Sequence, residues 1–412
     1  EDIQNAAGEV VVEKDALIEL GTTDEEGKLV FQADLPHGKY YIQEVVHKPG
    51  YLPNDEVYSF DASYTDQTLE LLAFSEEISN QPTITEFTKV DLTGGQEIEG
   101  AKMQILDQDG KVIEEWVSKK EPHVVYALEP GEYVLHEEQA PTEQGYVRAE
   151  DVKFVVEETG EVQKVKMEDD HTKVSISKTD ITDGKEIEGA KLQILDQDGE
   201  VVESWTTGEE HLIEYLPLGT YTLHEEAAVD GYIVANDVEF TVEETGEIQK
   251  VKMEDERAMG QLVIVKTDAD SKAALEGVEF VLMEKETGKE VERLKTGKDG
   301  KAVSSLLPIG TYENGTFKEP ITYVLKETAA LEGYEKTEEE WEIVFSYQND
   351  KTPVIEVVKE IQNKKIPEAP GTVKPGPKTG DDTNWFLPLL ALGVSAGMVA
   401  GLLYYRKRQK KA

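Results

Sequence analysis

The stretch "KVSISKTD", residues 173–180, alternates like a β-strand, with Val174, Ile176 and Lys178 on one side of it. Two of the three are apolar, so that side faces a core, and a lysine faces it with them. An ammonium buried without a partner is costly enough that it neutralises or finds an acid. The stretch is also repeated. Shifted by 89 residues, "TKVDLTGGQEIEGAKMQILDQDGKVIEEW" from Thr88 overlies "SKTDITDGKEIEGAKLQILDQDGEVVESW" from Ser177. "GEYVLHEEQAPTEQGY" likewise matches "GTYTLHEEAAVDGY", and "VQKVKMEDD" matches "IQKVKMEDE". A diverged copy runs from "QLVIVKTDADSKAALEGVEFVL" through "YVLKETAALEGY" to "VVKEIQNKK", so the chain is a tandem array of one unit.

Residues 83–170, 171–257 and 258–365 are the expected complete units. Residues 1–82, with "LPHGKYYIQEVVHKPGY" and "AFSEEISNQP", match only the middle and end of one, and read as a unit lacking its first strands. Short alternating runs bounded by turn signals at Asp109-Gly110, Asp198-Gly199 and Asp299-Gly300 predict an all-β fold of immunoglobulin-like sandwiches. The formal charge of −44, from 86 acidic and 42 basic residues, argues against a nucleic-acid partner, because such a surface repels phosphate. There is no cysteine, so neither disulfides nor thiolate metal sites can staple the units.

The inward lysine recurs in every complete unit: Lys89 follows Phe87, Lys178 follows Ile176 and Lys266 follows Ile264, each two positions on. The same parity in each "Y-x-L-x-E" strand puts Tyr133, Leu135 and Glu137 on one face, then Tyr221, Leu223 and Glu225, then Tyr323, Leu325 and Glu327. In the closing strand Asp169 shares a face with Val165 and Met167, Asp255 with Val251 and Met253, and Asn363 with Ile361. Parity alone leaves three readings open: a buried ion cluster that holds register, a misread register with these groups on the surface, or a reactive site. In the reactive reading, desolvation lowers the amine and raises the acids. A neutral glutamic acid then polarises the Asp or Asn carbonyl for attack by lysine, giving an isopeptide bond with loss of water or ammonia.

The order "K-T-D … E-G-A-K … D-x-D-G … G-x-Y-x-L-x-E … G-Y … M-x-D" resembles the collagen-adhesin B-type (Cna-B, prealbumin-like) domains of Gram-positive surface proteins and shaft pilins, over nearly all of residues 1–365. The resemblance implies tandem prealbumin-like sandwiches. It also implies cross-links Lys89–Asp169, Lys178–Asp255 and Lys266–Asn363, assisted by Glu137, Glu225 and Glu327 in a single-turnover, cofactor-free reaction, not as a turnover enzyme. The third set departs from the pattern, its Lys and Glu lying 61 residues apart where the others lie 48 and 47 apart. In residues 1–82 Glu44 and Asn80 are in place, but Lys14 precedes Glu44 by only 30 residues, so this half-site is expected to form no internal cross-link. Joining first strand to last closes a loop of about 80 residues, worth about 4 kcal/mol on the chain-entropy model for disulfides.

The N-terminal "EDIQNAAGEV" shows no secretion signal, and the chain reads as a fragment of a longer precursor. At the other end a Pro/Gly-rich linker, residues 366–384, precedes 19 uncharged residues from Trp385 to Leu403 and a basic end, 404–412. That span is long enough for one transmembrane helix with its basic flank in the cytoplasm. The order resembles a sortase sorting signal, with Pro377, Lys378, Thr379 and Gly380 as its motif and Gly376 where the family has leucine. The resemblance implies cleavage after Thr379 and attachment of Thr379 to peptidoglycan. Sortase and peptidoglycan are then the partners, with membrane contact only before sorting and an extracellular, wall-anchored location. It also allows a host extracellular-matrix ligand.

"DQDGKVIEEW" lacks the acidic spacing of a calcium loop and reads as a hairpin turn, while His136 and His224 alternate away from the glutamate face, so no metal site is expected. The favoured reading is a rigid stalk presenting an N-terminal adhesive region. The alternatives are a spacer for a surface enzyme lying upstream, or a sortase-polymerised pilin subunit, although no "YPK"-like pilin motif stands out.

Overall fold

The computed structural model describes residues 1–63 and 72–367, which form β-strands and a single 3-10 turn at Thr142–Gln144. In residues 83–171 the opening strand Ile84–Asp91 lies beside the closing strand Val162–His171, the two running parallel. Tyr146–Val147 and His123–Tyr126 flank them antiparallel, completing one sheet. The facing sheet is antiparallel throughout, in the order Val152–Val156, Gly131–Gln139, Lys102–Leu106, Val112–Val117. Phe87, Met103, Ile105, Leu135 and Met167 fill the space between the sheets. Residues 172–257 repeat this arrangement, with Lys173–Asp180 parallel to Ile248–Arg257. The next domain pairs Met259–Asp268 with Val354–Asn363 in the same sense.

Alternation dictates these sandwiches. Along Met259–Asp268 every second residue is buried, ending in Lys266 and Asp268. The hairpin turns follow from Asp-Gly chemistry: Asp107 Oδ1 accepts the N–H groups of Asp109 and Lys111, both at 2.9 Å, and Gly110 takes φ 77°. Asp196 and Gly199 repeat the device.

In the third complete domain the hairpin turn is Lys285–Lys289, between strands Glu279–Glu284 and Glu290–Lys295, and Asp299-Gly300 bounds two strands as expected while carrying the chain from one sheet to the other. An added hairpin, Gly310–Glu313 with Thr316–Pro320, accounts for the longer lysine-to-glutamate spacing.

Residues 1–63 and 72–82 form less structure: Ile3–Gln4 with Val10–Val12, Lys39–Gln43 with Val57–Asp61, and a small core of Ile3, Tyr40 and Ala62. Among the described residues no helix is long and apolar enough to cross a membrane. The expected transmembrane helix at 385–403, the sorting motif at 377–380 and the basic end lie outside the described residues.

The domains join with little slack. The closing strand ends at His171 and the next opening strand begins at Lys173. Between them Thr172 N–H donates to Gly145 O at 2.9 Å, a bond repeated by Thr83 to Gly50 and by Ala258 to Gly231. Each of these glycines precedes a tyrosine and has positive φ. A Cβ on Gly145 would run into the Tyr215 backbone, and one on Gly50 into Ala127. Tyr215 then stacks on buried His171, ring centroids 3.9 Å apart, and donates to Asp91 at 2.8 Å. At the following joint Arg257 takes the place of His171, binding Asp180 at 2.6 Å and lying over the Tyr312 ring. Tyr312 belongs to the added hairpin and donates to Gly231 O at 2.8 Å.

Gly145→Ala should therefore destabilise this joint by about 1–3 kcal/mol, since both the left-handed backbone and the close approach are lost. Small-angle scattering should show a broader spread of distances between the domains of residues 83–171 and 172–257, with the far-UV circular dichroism unchanged.

Candidate functional site

In all three complete domains the structure brings the sequence-predicted trio together inside the sandwich. The parallel ladder sets Lys89 opposite Met167 and Asp91 opposite Asp169, so Lys89 reaches diagonally forward to Asp169 on the same face. Lys178 stands opposite Met253, two positions before Asp255, and Lys266 opposite Ile361, two before Asn363. Lys89 Nζ contacts Asp169 Oδ1, Lys178 Nζ contacts Asp255 Oδ1, and Lys266 Nζ contacts Asn363 Oδ1. The glutamate comes from the facing sheet: Glu137 Oε2 is 2.9 Å from Lys89 Nζ, Glu225 Oε2 2.9 Å from Lys178 Nζ, and Glu327 Oε2 3.2 Å from Lys266 Nζ. None of the nine side chains is more than 4% exposed.

A feature that parity could not predict orients the acid. Glu137 Oε2 also accepts the Ala149 N–H at 2.8 Å, and Glu225 Oε2 accepts that of Ala235 at 2.6 Å. In the third domain Glu327 Oε1 instead accepts from Asn363 Nδ2 at 2.7 Å. Glu97 and Glu186 support the lysines from outside, accepting the backbone N–H of Lys89 at 3.1 Å and of Lys178 at 3.2 Å.

Burial pushes the Asp169 carboxyl up to about 7 against the pull of the Lys89 amine, and Glu137 beside it pushes the same way. Asp255 is raised to about 7 by burial against Lys178, again with Glu225 adding to the rise. Burial pulls the Lys266 amine below its ordinary value, opposed by Glu327. Glu137 Oε1 and Asp169 Oδ2 are both buried with no donor, as are Glu225 Oε1 and Asp255 Oδ2. A proton on one acid of each pair makes it the donor to the other, which removes both deficits.

Such a site can do acyl chemistry. A buried amine lies against an Asp or Asn side-chain carbonyl, and a carboxyl group touching both can carry a proton between them. The "K-T-D" aspartates do something else. Burial pushes the Asp180 carboxyl up, but the Thr182 N–H, the Tyr232 hydroxyl and Arg257 outweigh it and hold it below its usual range. These residues tie the end of the opening strand to the "G-Y" loop, as Tyr334 does for Asp268 at 2.8 Å.

His136 and His224 lie outside the site, at 2.7 Å from Asp151 and Asp237. Among the described residues no cluster of His, Asp or Glu has a metal-binding arrangement. In the N-terminal region Glu44 accepts from Asn80 Nδ2 at 2.9 and 2.8 Å, with no lysine bond to either among the described residues.

A family model described as "SpaA: Prealbumin-like fold domain" matches four regions, residues 2–74, 83–171, 172–257 and 260–361. No curated protein matches the chain. Among solved structures it is similar to the TIE protein of Bacillus anthracis, with 27% identity over 76% of this chain and 55% of that one, and a TM-score of 0.47. The chain thus spans little more than half the length of that protein. It is also similar to BcpA, the major pilin subunit of Bacillus cereus (16% identity, 69% of this chain and 99% of that, TM-score 0.40), and to the major pilin SpaD of Corynebacterium diphtheriae (16%, 69% and 98%, TM-score 0.32). The match to the family model covers most of the sequence, and the chain belongs to the prealbumin-like fold domain family, with its domains in tandem.

Proposed function

We propose that the chain is a surface stalk whose three complete domains cross-link themselves, Lys89 to Asp169, Lys178 to Asp255 and Lys266 to Asn363, with Glu137, Glu225 and Glu327 as proton carriers. The observation that carries this reading is the threefold recurrence of a buried amine against a buried acyl group, with a carboxyl group touching it. In each case the lysine nitrogen attacks the side-chain carbonyl carbon, and the glutamate moves a proton from nitrogen to the leaving oxygen or amide. Water leaves from Asp, ammonia from Asn. Each domain reacts once and needs no cofactor.

The topology supports a mechanical role. Tension on the array enters a domain at the start of its opening strand and leaves at the end of the closing strand. Because those strands are parallel, it would slide one along the other. A bond from Lys178 to Asp255 carries the load across after six residues of the opening strand and returns it two residues before Arg257. The intervening fold is bypassed. A chain without cysteine gains in this way what disulfides supply elsewhere.

The sequence of the C-terminal end supports sortase attachment through Thr379 within Pro377–Gly380, after transient membrane anchoring by residues 385–403. The mature stalk is then extracellular, bound to peptidoglycan in a Gram-positive wall, and holds an N-terminal adhesive region outward toward a host matrix ligand.

Intact-mass measurement of residues 83–365 should show a deficit of two waters and one ammonia, and Glu137→Ala should retain one of those waters. A full, unreduced mass would sink the cross-linking reading. Lys178→Ala leaves Asp255 and Glu225 buried without their cation, at a cost of about 3–5 kcal/mol. That variant should also respond to pH in a set direction. With Lys178 in place, burial raises the folded Asp255 carboxyl to about 7 against an ordinary value of 3.8, and removing the amine removes what opposes that rise. Above about pH 4 the folded variant therefore binds more protons than its unfolded chain. Stability is fully present below about pH 4 and is lost as pH rises from there through about 7 and above. Denaturant midpoints at pH 4 and pH 8, set against the parent chain, measure it.

A further inference from the structure

We propose that each domain positions the cross-link of the domain before it, Tyr215 serving Lys89 and Asp169, and Tyr312 serving Lys178 and Asp255. The proposal rests on the cross-linking reading above and adds to it a dependence of one domain's reaction on its neighbour.

The reactive pairs lie close to the ends of their strands. Lys178 is two residues from the end of Lys173–Asp180, and Asp255 two from the end of Ile248–Arg257. Strand ends open at little cost, and opening here would admit water and part the reactants. One further step of the ladder opposes it. Asp180 stands opposite Asp255 and reaches Arg257 by the same two-residue diagonal, on the same face, by which Lys178 reaches Asp255. This ion pair is a noncovalent staple beside the reacting pair, and residues 258–365 hold it from outside. The Arg257 guanidinium lies 4.1 Å from the Tyr312 ring centroid. Tyr312 donates to Gly231 O at 2.8 Å, and Tyr347 to Tyr232 O at 2.9 Å, fixing the tyrosine whose own hydroxyl donates to Asp180 at 2.8 Å. The tip of the added hairpin presses on the segment that brackets Lys178: a Cβ on Gly315 would run into Glu186 O. Glu186 accepts the Lys178 N–H, and the Ile187 N–H donates to Lys178 O at 2.8 Å.

In residues 83–171 the staple is a side chain of the next domain itself. Asp91 and His171 stand two positions beyond Lys89 and Asp169. Tyr215 joins them, its ring stacked on His171 and its hydroxyl donating to Asp91 at 2.8 Å. The two joints differ in chemistry, yet in both a tyrosine of the following domain closes the strand ends next to the reacting pair. Docking of that domain keeps amine and carbonyl in register and dry, and a displacement of about 1 Å costs on the order of a hundredfold in rate. The condensation itself is unchanged: Lys178 Nζ bonds to Asp255 Cγ and one water leaves. A domain therefore reacts after the next one has docked on it.

The test follows the full chain during cell-free synthesis, with samples quenched in acid and digested, so that mass spectrometry of the linked peptides gives the rate of each bond. Tyr312→Ala should slow the bond of Lys178 to Asp255 by about tenfold to a hundredfold. The bond of Lys266 to Asn363 lies in the domain that carries Tyr312, and its unchanged rate shows that this domain folds. Tyr312→Phe keeps the ring over Arg257 and should restore the rate. Tyr215→Ala should slow the bond of Lys89 to Asp169 and leave that of Lys178 to Asp255, in its own domain, as it was. If both alanine variants form all three bonds at the parent's rate, the neighbour merely docks, and the inference fails while the stalk stands. Slowing of each variant's own domain to the same degree assigns the effect to folding and overturns the inference too. A parent chain that forms no bond ends both readings.

Discussion

Everything in these domains depends on pairing the first strand with the last in parallel. A parallel ladder places residues two apart on neighbouring strands diagonally across one face, close enough for a long side chain to bridge. That step lets Lys178, opposite Met253, reach Asp255. The facing sheet, roughly 10 Å away, then brings the glutamate from the other side, so the site is assembled only when both sheets close. Before closure the three groups are solvated and ordinary. After closure the acids have no water to lose a proton to, which is why Asp169 and Asp255 rise to about 7.

The same burial makes the unbonded state expensive. Two charges taken from water seldom recover their hydration by pairing, and here a third ionisable group shares the space. In the cross-linking proposed above, condensation would replace an amine and an acid by a neutral amide. The bond would thereby relieve the penalty that prepares it. No outside catalyst would be needed, because the closed sandwich already positions and dries the reactants.

Much of this was legible in the sequence, because a strand has a period of two. The parity of Phe87 and Lys89, of Leu135 and Glu137, and of Met167 and Asp169 names both the core and the trio lodged in it. Parity says which face a side chain takes, but not what lies across from it. Nothing in "KTD" indicates that its aspartate serves the joint, or that the amides of Ala149 and Ala235 clamp the glutamates. The 61-residue spacing gave no hint of its cause, a hairpin whose Tyr312 docks on the preceding domain. The pairing of Gly145 with Tyr215 was equally hidden, since a glycine needed for close approach resembles one needed only for its turn. The turn at Asp299-Gly300 was legible but its destination was not: a turn signal marks a reversal of chain but not whether the next strand stays in the sheet.

The proposed cross-links would also redistribute compliance along the chain. With the load routed from Lys89 to Asp169, from Lys178 to Asp255 and from Lys266 to Asn363, the domain interiors would drop out of the force path. What would remain in series is short: the first residues of each opening strand, the last few of each closing strand, and the joint. The joints are where noncovalent chemistry is concentrated, with a glycine carbonyl holding the linker residue in each and aromatic stacking on His171 in one. At the next, Arg257 binds Asp180 and caps the Tyr312 ring, a contact that stays charged at any physiological pH.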